Sequence, residues 1–350
     1  QSELLFLFLF LQTMLKKANN LKELISQQKN IVITTHRGPD GDAMGSSLAL
    51  YNLLINLGHK VNVVTPNDYA SFLNWMPGND TVIEFEGNED KAISLTAKAD
   101  IIFMLDFNTI ARLDKFSNTV AESNSYKVLI DHHQDPDMEI ADLIFSDSTS
   151  CSTAQLLYEV LDAMNMTDQI NQDIAECLYV GIMTDTGSFK YNSTTSKTHN
   201  VIADLIDKGA RNSIIHDLIY DNSSADRMKL LGYCINDKLL LYPENNSAII
   251  SLTDEELNRF NFKKGDTEGI INYALAIKGI IFAVLIVQRE DIVKLSLRSK
   301  GDFKVNLIAN KYFQGGGHTN ASGGISYQSV NETIKKVEGI IKTYKEELNN

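Results

Sequence analysis

Three aspartates and three histidines sit in two short motifs whose spacing suits metal chemistry. The first motif is His36-Arg-Gly-Pro-Asp40-Gly-Asp42-Ala-Met-Gly-Ser46. In extended backbone, residues two apart point the same way, so Asp40 and Asp42 are expected to face one pocket. Gly38, Pro39 and Gly41 predict a tight loop, and Gly45 and Ser46 are expected to open a helix whose N-terminus favours anions. Taken alone, Pro-Asp-Gly-Asp reads equally well as a surface turn; the nearby histidine and the apolar run before it favour a site. The second motif is Asp131-His132-His133 at the end of another apolar run. Asp106 follows five apolar residues and by itself reads as a helix N-cap. Asp185 lies in Met183-Thr-Asp-Thr-Gly187, where a capping residue is again the bland alternative.

His36, Asp40, Asp42, Asp106, His132 and Asp185 form an oxygen-rich ligand set with some imidazole, and Asp131 and His133 are left over. Such donors suit Mn²⁺ or Mg²⁺ better than a thiolate-preferring metal. The set exceeds the needs of one ion. Two ions about 3.5–4 Å apart, sharing a carboxylate, use it economically and would suit hydrolysis of a phosphate ester. A second signal is Phe313-Gln-Gly315-Gly316-Gly317-His318, downstream of Arg298. Glycine runs expose backbone N–H groups and admit anions, so phosphate binding is expected there, against the alternative of a flexible loop. His59, His199 and His216 lack such context and read as structural or exposed.

Apolar runs must position these groups. Ile31-Val-Ile-Thr-Thr35, Val61-Asn-Val-Val64, Ile101-Ile-Phe-Met-Leu105 and Tyr126-Lys-Val-Leu-Ile130 read as strands buried on both faces. Leu178-Tyr-Val-Gly-Ile-Met183 reads equally as strand or helix. Helical patterns over residues 45–57 and 153–164 alternate with the strands, which predicts an α/β fold with a mostly parallel N-terminal sheet. Functional residues then gather beyond the strands' carboxyl ends. Residues 197–222 look helical, and 225–241 reads as a helical connector. Beyond 247, strand patterns (247–252, 280–287, 292–297) alternate with helical ones (267–277, 305–313, 331–348), predicting a smaller C-terminal α/β domain. The expected division is 14–222, a linker over 223–241, and 242–346.

The chain has 350 residues, 43% of them hydrophobic, which excludes disorder and a disulfide scaffold. Acidic residues outnumber basic ones 45 to 32, for a net charge of −13. A protein gripping long duplex nucleic acid needs many Lys and Arg contacts, so such a partner is not expected. Cys151, Cys177 and Cys234 form no Cys-x-x-Cys pair, arguing against a cysteine zinc site and for a reducing, cytoplasmic compartment. Residues 4–11 are wholly apolar but too short to span a bilayer, which takes about 20 residues. No basic segment or cleavage site accompanies them. They read as a docked N-terminal helix or as residues foreign to the protein, with Met14 as the start. No membrane partner is expected.

The ordered combination resembles the DHH/DHHA1 phosphoesterase family, in its nano-RNase (oligoribonuclease)/pAp-phosphatase branch, from about Met14 to Glu346. The resemblance implies two divalent ions, Mn²⁺ ahead of Mg²⁺. His36 and Asp40 would bind one, Asp42, His132 and Asp185 the other, and Asp106 would bridge. His133 would contact the scissile phosphate, with Asp131 orienting the histidines. Arg298 and Gly315, Gly316, Gly317 and His318 would hold the far end of a nucleotide, across a cleft between the domains. The implied substrates are very short RNA and 3′-phosphoadenosine 5′-phosphate. A pApA or cyclic-dinucleotide-pathway phosphodiesterase and a non-catalytic nucleotide sensor are the rivals, and a homodimer stays open. One departure is Phe107, where many members carry a small residue; it raises the question of substrate size.

Overall fold

A computed structural model describes residues 2–349, with side chains from Gln12 onward. The chain folds into two compact units that divide between Asn222 and Ser223.

In the first unit, α1 (Ser2–Leu24) precedes β1 (Asn30–Thr35), α2 (Gly41–Asn56), β2 (Lys60–Thr65), β3 (Ile83–Glu84), α3 (Glu89–Ala97), β4 (Ile101–Leu105) and α4 (Ser117–Ala121). Then come β5 (Tyr126–Asp131), β6 (Leu143–Ser146), α5 (Thr153–Ala163), α6 (Gln172–Asp185), α7 (Ser196–Asp207) and α8 (Asn212–Ile219). The six strands pair in parallel throughout, in the order β3-β2-β1-β4-β5-β6. The α/β expectation with a parallel sheet holds. Burial on both faces explains the unbroken apolar runs. Ile31, Ile33, Phe103 and Leu105 join one core with Met44, Leu48 and Leu157, while Val32, Ile102 and Met104 join another with Leu113 and Phe116. Each fully buried side chain of this size contributes about 1.5–3 kcal/mol. How the apolar run over residues 4–11 is covered lies outside the described side chains. No helix among the described residues is long and apolar enough to cross a membrane.

Several elements differ from the reading of the sequence. Leu178–Met183, open between strand and helix in the sequence, lies inside α6. Its small residue serves a helix crossing: a Cβ on Gly45 would fall 2.6 Å from the Cys177 carbonyl oxygen and 2.8 Å from the Gly181 nitrogen. Helix α2 opens at Gly41, four residues before the expected start, because Asp40 caps it. Residues 197–222 form two helices, broken around Gly209 at φ 102°. The short strands β3 and β6 carried no clear signal.

The second unit holds α9 (Ala225–Asp237), β7 (Leu239–Tyr242), β8 (Ser247–Leu252), α10 (Asp254–Arg259), α11 (Ile270–Leu275), β9 (Phe282–Arg289) and β10 (Ile292–Ser299). It ends with α12 (Val305–Phe313), β11 (Gly316–His318), β12 (Ala321–Ser326), α13 (Val330–Thr343) and α14 (Lys345–Asn349). Its sheet runs β11-β12-β10-β9-β8-β7, antiparallel except for the β8–β9 pair. The helix expected over 225–241 stops at Asp237, and Leu239–Tyr242 pairs with β8 instead. The glycine run is a strand rather than a flexible loop.

Candidate metal centre

Sheet order reverses direction between β1 and β4, and such a switch point leaves a crevice at the strands' carboxyl ends. His36 follows β1, Asp106 follows β4, and Asp131 closes β5 ahead of His132 and His133. Asp40 and Asp42 start α2, and Asp185 ends α6. The structure thus brings all eight first-unit candidates into one region.

Asp40 and Asp42 do not share a pocket through extended backbone. Asp40 Oδ1 accepts from the Asp42 and Ala43 N–H groups, both at 3.1 Å, and this cap leaves Oδ2 4.0 Å from His36 Nε2. Asp42 is buried in the first helical turn. Its two oxygens accept from the backbone N–H groups of Thr153 (2.6 Å) and Ala154 (2.9 Å) at the start of α5. These donors were not foreseen; the only hint was Ser152-Thr153, a helix-start pattern.

Asp106 is not a cap, since the next helical turn begins at Ile110 behind Thr109. It is buried in a left-handed conformation at φ 66°, which costs on the order of 1–3 kcal/mol for a residue with a side chain. Its N–H still reaches the Ile130 carbonyl at 3.1 Å, and its Oδ1 accepts from Thr153 Oγ1 at 2.9 Å. Asp106 stands between the imidazoles: Oδ2 is 3.4 Å from His36 Nε2, and Oδ1 is 3.6 Å from His132 Nε2 and 3.7 Å from His133 Nδ1.

The histidine tautomers follow from their other contacts. His36 Nδ1 lies 3.0 Å from the Arg37 carbonyl and His132 Nδ1 lies 3.2 Å from the Ser150 carbonyl. A carbonyl only accepts, so both rings carry hydrogen on Nδ1 and, when neutral, turn a bare Nε2 inward. For His132 that atom faces Asp185 Oδ2 at 3.4 Å and Asp42 Oδ2 at 3.8 Å. Lone pairs aimed at carboxylate oxygens repel unless a proton or a cation lies between them. His133 differs: its Nδ1 donates to Asp131 Oδ1 at 2.7 Å. Asp131 is fully buried, and its Oδ2 has no hydrogen-bond partner among the described residues.

The electrostatics tell the same story. Burial, with the charges of Asp106 and Asp185, pushes the Asp42 carboxyl well above the usual range. Burial also opposes charge on His36 and His132. The hydrogen bond and charge of Asp106 with Asp40 at His36, and the charges of Asp106 and Asp42 at His132, outweigh it and raise both. Asp106 is held low despite burial by the His36 hydrogen bond and the surrounding imidazoles. Without cations, extra protons must neutralise this cluster. Divalent ions would replace them, and the donor set fits: ligand atoms of His36, Asp40 and Asp106, and likewise of Asp42, His132 and Asp185, lie within 4.8 Å of one another.

In the second unit, Arg298 on β10 pairs with Ala321 on β12, which pairs with His318 on β11. Arg298 and His318 therefore occupy one row across three strands, and the Arg298 Nη1 donates to the Leu297 carbonyl at 3.0 Å. Two of the three glycines have a packing reason. A Cβ on Gly315 would lie 1.9 Å from the Gly323 carbonyl oxygen, and one on Gly317 (φ 136°) 2.7 Å from that of Ala321. Only at Gly316 is there open space within 4 Å. Phe107 is fully buried in the core with Leu113 and Phe116, so its bulk does not line the crevice. His59 is buried and its Nδ1 accepts from the Lys29 N–H at 3.2 Å, as a structural histidine does.

Residues 30–182 match the DHH family, N-terminal domain, and residues 245–350 match the DHHA1 domain. The chain belongs to the DHH/DHHA1 phosphoesterase family. It is 27% identical over 326 residues to the bifunctional oligoribonuclease and PAP phosphatase NrnA of Bacillus subtilis, covering 91% of this chain and 97% of that protein. An exopolyphosphatase-related protein from Bacteroides fragilis superposes with a TM-score of 0.91 at 38% identity, covering 96% of this chain and 98% of that one. The cyclic-di-AMP phosphodiesterase GdpP of Bacillus subtilis is 26% identical over 343 residues, but this chain spans only 49% of it.

Proposed function

We propose that this protein is a two-metal phosphoesterase that cuts mononucleotides from very short RNA and dephosphorylates 3′-phosphoadenosine 5′-phosphate. The observation that carries the reading is the pair of Nε2 atoms of His36 and His132, which face carboxylate oxygens on both sides of buried Asp106. The full-length likeness to NrnA supports the substrates. His36 and Asp40 would hold one ion, Asp42, His132 and Asp185 the other, and Asp106 both. Imidazole donors beside carboxylates favour Mn²⁺ over Mg²⁺. Bound there, the ions would supply Lewis-acid polarisation of a phosphoryl oxygen and a water acidified toward neutral pH.

The protein's own groups do the rest. The N–H groups of Thr153 and Ala154 hold Asp42 in place, and Thr153 Oγ1 steadies Asp106. Asp131 fixes the ring of His133, which we assign to the scissile phosphate. The row of Arg298 and His318, with open backbone at Gly316, is assigned to the nucleotide's far phosphate or base. Residues 14–222 would form the catalytic domain and 242–346 the substrate-binding one, in a cytoplasmic enzyme without a long-duplex partner.

A panel of pAp, pApA, pGpG and RNA of two to twenty nucleotides, with Mn²⁺ or Mg²⁺, tests the reading through product lengths. Turnover of pAp and short RNA is expected. Activity confined to pApA would favour the second reading, a cyclic-dinucleotide-pathway phosphodiesterase, which the likeness to GdpP supports over half of that protein. Tight nucleotide binding without turnover would instead mark a sensor.

A further inference from the structure

Beyond Asp185 and Thr186, the cap of α6, come three consecutive residues in the left-handed region: Gly187 at φ 57°, Ser188 at 60° and Phe189 at 66°. The first is expected at a helix end. The Gly187 N–H donates to the Thr184 carbonyl at 3.1 Å and the Ser188 N–H to that of Met183 at 2.8 Å, closing α6 with glycine just beyond its cap. Glycine suits this φ, and a Cβ there would also fall 2.5 Å from Cζ of the exposed Tyr191 ring, which would have to shift. Ser188 and Phe189 have no such freedom, and a bulky residue in this region must be held by its surroundings.

Phe189 has its own holders. Its N–H donates to Thr186 Oγ1 at 3.1 Å, and its ring packs 5.9 Å from both Tyr179 and His199. Ser188 is held from another element. Its hydroxyl lies 3.3 Å from Nε2 of His216 on α8. The Nδ1 of that ring lies 2.8 Å from the Asn212 carbonyl, which only accepts, so Nδ1 carries the hydrogen and the neutral ring accepts from Ser188 through Nε2. Tyr179 and Tyr220 flank the imidazole at 6.1 Å and 5.9 Å.

We infer that His216 is a positioning residue: by accepting from Ser188 it locks the left-handed turn that fixes Asp185 at the metal centre. The inference rests on reading Asp185 as a ligand. Exposed Asp40 is held by its own cap on the Asp42 and Ala43 N–H groups, and Asp185 needs such help more than Asp42 and Asp106 do. Its side chain is 24% exposed, against 2% for Asp42 and 3% for Asp106, and it sits on the last residue of a helix. Burial therefore does little to hold it, and the turn beyond decides whether the final helical turn keeps its shape.

The test is calorimetric titration of Mn²⁺ into the chelator-stripped full chain, with unfolding midpoints measured in parallel. His216→Ala should weaken one Mn²⁺ site by roughly 10–100-fold, the usual scale for losing a group that orients a ligand, and leave the other alone. His216→Gln, whose amide oxygen can accept from Ser188, should restore affinity to within a few-fold. Ser188→Ala should reproduce the loss and add nothing to His216→Ala, and it carries the test if His216→Ala does not fold. Wild-type affinity at both sites in His216→Ala, a Gln variant as weak as the Ala variant, or additive losses would each overturn the inference. Asp185→Asn is the separate control: if it keeps both sites, the ligand reading of Asp185 fails regardless of His216.

Discussion

At the scale of single residues, Asp106 and His133 have contacts that separate their roles. Asp106 is within 3.4–3.7 Å of three imidazoles, so Asp106→Ala is expected to abolish turnover and Mn²⁺ binding in a protein that still folds, checked by titration and circular dichroism. His133 is tied to Asp131 instead, so His133→Ala should keep its metal and lose about 10²-fold in turnover, the scale of one transition-state contact. Protons give a second prediction. His36, His132 and Asp42 all hold protons to higher pH than usual in the metal-free centre, for the reasons of charge and burial given above. Metal must displace those protons, so binding should weaken as pH falls and should release protons. Calorimetry in buffers of different ionisation enthalpy reads this directly; a heat independent of buffer would contradict it. The ligand types were legible because strand ends and short motifs expose them. The cap at Asp40 and the donors at Thr153 and Ala154 were not, since they depend on where helices start and on contacts more than a hundred residues apart in sequence.

At the scale of elements, α2 and α6 matter most, because they carry Asp42 and Asp185 and cross at Gly45 and Gly181. Gly45→Ala would drive a methyl into the backbone of α6. Overpacking of this kind costs typically 1–3 kcal/mol, and a lower melting temperature together with lost activity is expected. A melting temperature equal to that of the parent would show that the helices have room. The buried strands were readable from apolar runs, which parallel sheets demand. The crossing itself was hidden: a glycine within Leu178–Met183 fits strand or helix locally, and only the partner helix decides. Strand β11 was hidden for a related reason, because Gly316 and Gly317 have little strand propensity and are set by pairing with Ser322 and Gly323.

At the scale of the molecule, a net charge of −13 gives little long-range attraction to a polyanion. On the proposed reading, affinity comes from the metals and from short-range contacts such as those of Arg298. Catalytic efficiency should therefore be highest for two to about five nucleotides and depend only modestly on salt, because few counterions are released. A steady rise of kcat/KM out to about twenty nucleotides with a steep salt slope would require a basic track that the charge balance does not suggest. The change in strand and helix pattern beyond residue 247 points to two units, whereas substrate choice within the family leaves no such mark, because one centre of this kind can serve several phosphate esters.

The central claim is that the carboxylate–imidazole cluster around Asp106 works as a two-metal phosphoesterase. Its most direct test is a titration of Mn²⁺ into chelator-stripped protein while phosphate release from 3′-phosphoadenosine 5′-phosphate is followed. The account predicts no turnover without metal and full activity at two ions per chain. Turnover that persists in the stripped protein, or none at any Mn²⁺ concentration, would contradict it.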